Sequence, residues 1–268
     1  MKKSLSRILV LTKRNILEII RDPLSLVFAI ALPLFMEILF YLIFHNLTEQ
    51  FEMKYLAPGI VVFSQAFLTL FTGILISTDR NTSFLTRLYV SKAKSYEFIF
   101  AYTLSVLPIA FSQSILFFLV GGIFDSSIFS FGLIFAILLS VFTSLFFIGM
   151  GILFGSLCNE KSIGGMSSII IVGQSVLSGM WFPIEGLNEG IITFMKILPF
   201  KNATTIIQNM ILGVNNSFND FLLPFLIVLI YIILSFIAAI LMFKHKMKEK
   251  WFEFLYDEVC IVIEKIAI

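Results

Sequence analysis

Long apolar runs separated by short polar stretches set the pattern of this chain. Apolar residues dominate 24–45, 55–78, 98–124, 129–157, 163–181 and 221–243. Each run is near the ~20 residues that carry a helix across a bilayer, so six transmembrane helices are expected. Between the fifth and sixth, residues 184–198 and 203–212 are apolar but too short to span. With Pro183 and Pro199 around the first and Gly213 closing the second, they read as re-entrant or interfacial helices. Residues 3–21 are different. Read as a helix, they place Leu5, Leu9, Ile16 and Ile20 on one side, and Lys3, Arg7, Arg14 and Arg21 opposite. Such a helix lies in the headgroup plane with its apolar side down, or docks on a partner. Asp22-Pro23 ends it, because the residue before a proline resists helical geometry. The fold class that follows is all-α polytopic: an amphipathic N-terminal interface helix, six spans, and short re-entrant helices between spans 5 and 6. Residues 1–250 form the transmembrane domain and 251–268 an amphipathic tail. In that tail Phe252, Leu255, Val259, Val262 and Ile266 make an apolar strip for the interface or for a partner.

Composition settles the class. Of 268 residues 59% are hydrophobic and 13% charged, with a mean hydropathy of +1.00. The net charge of +2 matters less than where the charges fall. With both termini cytoplasmic, sixteen of the 19 lysines and arginines lie inside, and Lys54, Lys196 and Lys201 lie outside. That asymmetry sets the expected orientation by the positive-inside rule. Lys13 and Arg14 interrupt the early run at Ile8–Leu11, so no secretory signal peptide is expected. Cys158 and Cys260 are too few for a disulfide framework or a zinc cage.

Polar residues inside the spans are the candidates for chemistry. Glu37 stands in span 1, which Pro33 also interrupts. A charge at that depth costs roughly 3 kcal/mol on insertion scales, so Glu37 is either a functional carboxylate or a protonated group bonded to a neighbouring helix. Gln65, Thr69 and Thr72 recur at i, i+4 and i+7 on span 2. In span 5, Gly164, Ser168, Ser175 and Ser178 share a face of small residues with Gln174 beside it. Such faces bond helices together or line a path. Gly151 and Gly155 in span 4 are a small-xxx-small pair, read as close helix packing.

A polar island, residues 79–97, interrupts the apolar pattern between spans 2 and 3. It carries Arg80, Arg87, Lys92 and Lys94 against Asp79 and Glu97, and it encloses Phe84, Leu85, Leu88, Tyr89 and Val90. As a helix it has Phe84 and Leu88 on one face and Arg80 and Arg87 on another. A solvated loop that only anchors the two spans fits the periodicity equally well.

Several chemistries are missing. The histidines, His45 and His245, lie at opposite ends of spans on opposite sides of the bilayer, so neither can serve a Ser–His pair at membrane depth. There is no HExxH zinc motif and no GxxxxGK[ST] phosphate loop. An enzyme is therefore not expected, nor a nucleic-acid partner. An ion-coupled carrier often has paired intramembrane charges or matching broken helices in two halves. Glu37 has no such pair in mid-span, and the region around Pro183 has no counterpart in the first half.

These features together resemble the permease subunits of ATP-binding-cassette (ABC) type-2 exporters, particularly the daunorubicin and multidrug group. The resemblance runs over nearly the whole chain. It is carried by the amphipathic start into Arg21-Asp22-Pro23, by Pro33, and by Ala57-Pro58-Gly59 opening span 2. Asp79-Arg80 followed by Leu85, Arg87, Leu88 and Ser91 continue it. The most specific stretch is Leu177-Ser178-Gly179-Met180-Trp181-Phe182-Pro183-Ile184-Glu185-Gly186-Leu187, with Pro199 after Leu198. The island departs from the family pattern, having Asn81, Ser83 and Phe84 where an Arg-Glu pair and a Gly-Thr step are common.

The resemblance implies two permease subunits, as homodimer or heterodimer, above two ATPase subunits that bind ATP and Mg; this chain itself holds no cofactor. It implies that the island, with Asp79, Arg80, Phe84, Leu85, Arg87 and Leu88, seats in the ATPase as a coupling helix. The helix bearing Arg7, Arg14 and Arg21 is similar to the family's interface helix. Spans 2 and 5 are expected to meet across the dimer, giving Gln65, Thr69 and Thr72 a joint path with Ser168, Gln174, Ser175 and Ser178. The location implied is a bacterial plasma membrane, multi-pass. The cargo is a hydrophobic drug or antimicrobial compound; alternatives are polysaccharide or lipid export, or ion-coupled transport.

Overall fold

The structure, a computed structural model, describes residues 2–82, 94–182, 187–213 and 218–266. The described residues form helices α1 (Lys2–Ile20), α2 (Pro23–Phe44), α3 (Met53–Asn81), α4 (Ser95–Phe124), α5 (Gly132–Leu157), α6 (Glu160–Leu177), α7 (Glu189–Ile197), α8 (Pro199–Leu212) and α9 (Leu223–Ile266). Four stretches are long and apolar enough to cross a membrane: Met53–Arg80, Ser95–Phe124, Gly132–Leu157 and Asp220–Lys246. α2 has 22 residues and α6 has 18, about 33 and 27 Å at helical rise. The six-span arrangement expected from the sequence needs both of them to cross.

α3 is the centre of the bundle and touches α2, α4, α5, α6 and α8. Its apolar window is 83% buried, against 22% for that of α9, which exposes Ile230, Ile233, Leu234 and Leu241. α3 and α5 approach each other closely through glycine. A Cβ added at Gly151 would stand 2.7 Å from the Thr69 carbonyl oxygen, and one at Gly155 would stand 2.8 Å from that of Gly73. Only glycine admits backbones this close, which is the packing expected of the pair. At the end where α3 begins, Phe40 stacks against Phe44, Phe51 and Trp181, an aromatic cluster of the kind found at membrane–water boundaries.

Helix ends differ from the sequence reading in physically clear ways. α3 continues past residue 78 to Asn81, because its polar last turn is satisfied from other helices, as described below. α6 stops at Leu177, four residues early, where Ser178 and then Gly179 at φ 73 turn the chain. α8 starts at Pro199 rather than 203, with proline at the first helical position, where its missing N–H costs nothing. α1 matches the amphipathic segment and leaves Leu5 and Leu9 more than half exposed, as an interfacial helix requires. α9 runs on unbroken to Ile266; the tail's apolar strip from Phe252 to Ile266 lies outside the residues whose side chains are described.

Candidate functional site

α3 has 29 residues and α4 has 30, about 43 and 45 Å, so each outreaches a hydrocarbon core of about 30 Å by several turns. The polar residues at the end of α3 and the start of α4 occupy that excess. They are the two roots of the island. The island residues between them, Phe84, Leu85, Arg87 and Leu88 included, lie outside the described residues.

The first root is Asp79, whose side chain is 1% exposed. Arg14 of α1 meets it with both guanidinium arms, Nη1 to Oδ2 and Nη2 to Oδ1, each at 2.5 Å. This fork is the geometry in which an arginine and a carboxylate bind most strongly. The Tyr102 hydroxyl donates to Asp79 Oδ2 at 2.7 Å from α4. Arg14 also reaches Asn15 Oδ1 at 3.1 Å and pairs with Glu18 at 2.6 Å. Burial works against the Arg14 charge, but the bond to Asp79 outweighs it and the pKa is raised. Burial, with the Asp79 charge, pushes the Glu18 carboxyl up.

The second root is Glu97, in the first turn of α4 and equally buried. It accepts from the Lys94 backbone N–H at 3.3 Å, closing the helix start. Arg7 Nη2 donates to its Oε1 at 2.9 Å, and the Ser4 hydroxyl donates to the same oxygen. One turn further on, Thr12 Oγ1 donates to the Ala101 carbonyl at 3.4 Å. α1 therefore lies along the first turns of α4 and holds both roots of the island at once.

A third tie comes from Arg80. Its Nη1 donates to the carbonyls of Gly155, Ser156 and Cys158 at 2.9, 2.6 and 3.3 Å. These belong to the C-terminal end of α5, where unpaired carbonyls and the helix dipole favour a cation. Through Asp79, Arg80 and Glu97, displacement of the island acts on α1, α3, α4 and α5 together. That is what the arrangement can do: transmit movement at the membrane surface into the bundle.

The other sequence candidates are dispersed. Gln65, Thr69 and Thr72 are fully buried inside the subunit, on the face of α3 that meets α5. Gln65 donates to Ser114 at 3.3 Å and accepts from Thr143 at 3.2 Å; Thr69 donates to the Phe147 carbonyl at 3.1 Å. These bonds join helices within the subunit. On and just after α6, Gln174 donates to Thr204 at 3.2 Å, Trp181 Nε1 donates to Ser175 at 2.8 Å, and Ser178 accepts from the Met180 N–H at 3.2 Å. Ser168 faces outward beside Gly164 and Gly165, both of which have open space around them. The two groups are not brought to one surface within this subunit.

Glu37 is fully buried at the level of Gly121, one turn from the end of α4. Among the described residues neither of its oxygens has a hydrogen-bond partner. Arg21 is exposed at the turn into α2. Sequence reasoning missed Tyr102, Asn15 and Ser4. The available signal was an acidic residue at each root of the island in a chain whose N-terminal helix carries arginines along one side.

The family model described as ABC-2 type transporter matches residues 6–212, from within α1 to the end of α8, which takes in Arg7, Arg14, Asp79, Arg80 and Glu97 of this clasp. A search among curated proteins finds none that matches. The chain belongs to the ABC-2 type transporter family, and it is a transmembrane permease of the ABC transporters.

Proposed function

We propose that this chain is the permease subunit of an ATP-driven exporter that moves a hydrophobic drug or antimicrobial compound out of the cell. A separate P-loop ATPase supplies the energy, binding ATP and Mg, and the island of residues 79–97 seats in it. Both termini and the island face the cytoplasm. The observation that carries the reading is that α1 grips both roots of the island, Asp79 through Arg14 and Glu97 through Arg7. A loop that only anchored two spans would need no such grip. A clasp of this kind lets a push on the island reach the membrane helices without being absorbed at its ends.

A second permease subunit has a suitable surface on α6. Gly164, Gly165 and Ser168 are exposed there together with Ile169 and Val172. Small residues beside β-branched ones suit close helix contact in a membrane. The spans carry few charges and many aromatic residues, which suits an amphipathic or apolar cargo.

The test is to express the tagged full chain with the P-loop ATPase encoded beside it and purify in mild detergent. The ATPase is expected to copurify, and inside-out vesicles are expected to accumulate a hydrophobic dye only when ATP is supplied. A permease that purifies without any ATPase, and whose uptake follows an imposed proton gradient instead, contradicts the proposal.

A further inference from the structure

At the end of the bundle opposite the clasp, a cavity of about 700 Å³ opens between the start of α3, the loop before it, α7 and α8. Tyr55 on its wall and Asp79 in the clasp are near the two ends of α3, about 36 Å apart at helical rise. Lys196 and Lys201 both line this cavity. They stand on either side of the corner between α7 and α8, and the corner is braced. Asn202 Nδ2 donates to the carbonyls of Lys196 and Leu198 at 2.8 and 2.6 Å. Gln208 Nε2 donates to the Tyr55 carbonyl at 2.9 Å and ties α8 to α3.

Two ammonium groups on one rigid corner repel each other. Burial, and after it the charge of Lys196, depress the pKa of Lys201. Among the described residues neither lysine has an ion-pair partner, whereas Lys54 nearby is paired with Glu52 at 2.6 Å. Glu49 also lines the cavity, so its two lysines and one carboxylate leave the described lining with one excess positive charge. A polar wall with two lysines on a braced corner invites an anion, whose arrival would offset the repulsion. Beside the cavity, α7 exposes Ile191, Phe194 and Ile197. A short helix with an exposed apolar face at the end of a bundle belongs at the bilayer interface, where a lysine reaches headgroups while its neighbours meet acyl chains.

We infer that this cavity is a binding site for the phosphate of an anionic phospholipid, held by Lys196 and Lys201 with the acyl chains lying along α7. With the clasp end cytoplasmic, the lipid is drawn from the outer leaflet. The inference does not rest on the identity of the cargo, and its assay needs no ATPase, so the two proposals fail separately.

The assay uses the purified full chain in neutral detergent, titrated with dioleoylphosphatidylglycerol or dioleoylphosphatidylcholine, with thermal midpoint and lipid affinity as readouts. The phosphatidylglycerol is expected to bind more tightly and raise the midpoint further. The double variant Lys196→Gln/Lys201→Gln should lose about tenfold or more in that affinity, the loss of a charged hydrogen bond at each lysine. Lys196→Arg/Lys201→Arg should retain most of it, which separates loss of charge from loss of fold. Lys244→Gln/Lys246→Gln, at the far end of the apolar stretch Asp220–Lys246, should leave the effect in place. Equal binding of the anionic lipid by wild type and the double glutamine variant would overturn the site. Full displacement of the lipid by an equal concentration of inorganic phosphate would make it a free-anion site and overturn the lipid assignment.

Discussion

Breaking the Arg14–Asp79 fork should destabilise the protein by an amount that depends on which partner is removed. Loss of one partner from a fully buried pair costs about 3–5 kcal/mol, and an exposed pair contributes about 1 kcal/mol or less. Here the carboxylate is 1% exposed and the guanidinium 32%. Arg14→Gln leaves a buried carboxylate with the Tyr102 hydroxyl as donor, and a loss of about 2–3 kcal/mol lies between those limits. Asp79→Asn is milder, about 1 kcal/mol, because the amide still accepts from Tyr102. Arg14 meanwhile keeps its contact with Glu18. The double variant Arg14→Gln/Asp79→Asn places two amides face to face, so it should be more stable than the two single losses added together. A coupling of at least about 1 kcal/mol is expected. The four proteins would be unfolded by titration with SDS from mild detergent, following tryptophan fluorescence. Losses that add to within about 0.5 kcal/mol would refute the fork as a coupled pair.

Other consequences follow from the packing. Gly151→Ala drives a Cβ to 2.7 Å from the Thr69 carbonyl oxygen and should cost about 1–3 kcal/mol. Gly164→Ala, with nothing within 4 Å inside the subunit, should be neutral or slightly stabilising for the subunit's own fold; equal midpoints for the two variants in thermal unfolding of the monomer would contradict the close α3–α5 contact. Glu37→Gln should keep transport, and Glu37→Met should match or exceed the wild-type midpoint, since it removes a buried carboxyl with no hydrogen-bond partner among the described residues. Lost transport in a well-assembled Glu37→Gln protein would instead assign Glu37 a proton-carrying role. The Glu18 carboxyl is pushed above its ordinary 4.5 in the fold. Its contribution to stability is therefore complete below that pH and lost as the pH rises through the folded value. Glu18→Gln should accordingly lose less stability than wild type as the pH rises above about 4.5, and identical pH profiles would show that Glu18 is not strained by burial.

Much of the fold is legible in the sequence because apolar run length and 3.6-residue periodicity are local properties. The helix of residues 3–21, the turn at Asp22-Pro23, and the short helices around Pro199 all follow from them. The ends are less legible, because what ends a helix here is partly supplied from elsewhere. α3 keeps Asp79 and Arg80 helical with bonds from α1 and to α5, across gaps of 65 and 75 residues. The clasp was half visible. Arg7 and Arg14 stand out as the polar side of an amphipathic helix, but nothing local says that this side grips Asp79 and Glu97. The stripe of Gln65, Thr69 and Thr72 has the right spacing for glue or for a path, and only the covering helix decides between them inside the subunit. Gly151 and Gly155, on that covering helix, were the signal. Glu37 shows the limit from the other side: burial was readable, and among the described residues no hydrogen-bond partner meets it.

An island held at its roots by α1 and seated in an ATPase must bury its apolar face in that joint. The most direct measurement uses the double variant Phe84→Asp/Leu88→Asp. Burying large apolar side chains contributes roughly 1.5–3 kcal/mol each, and carboxylates in their place add unpaired charge to the joint. The variant should insert normally, because the spans and flanking basic residues are unchanged. In pull-down from mild detergent it should lose the ATPase, or lose cargo-stimulated hydrolysis. A correctly inserted double variant that retains the ATPase, hydrolysis and export at the wild-type level would contradict the claim and leave the island a simple anchor between two spans.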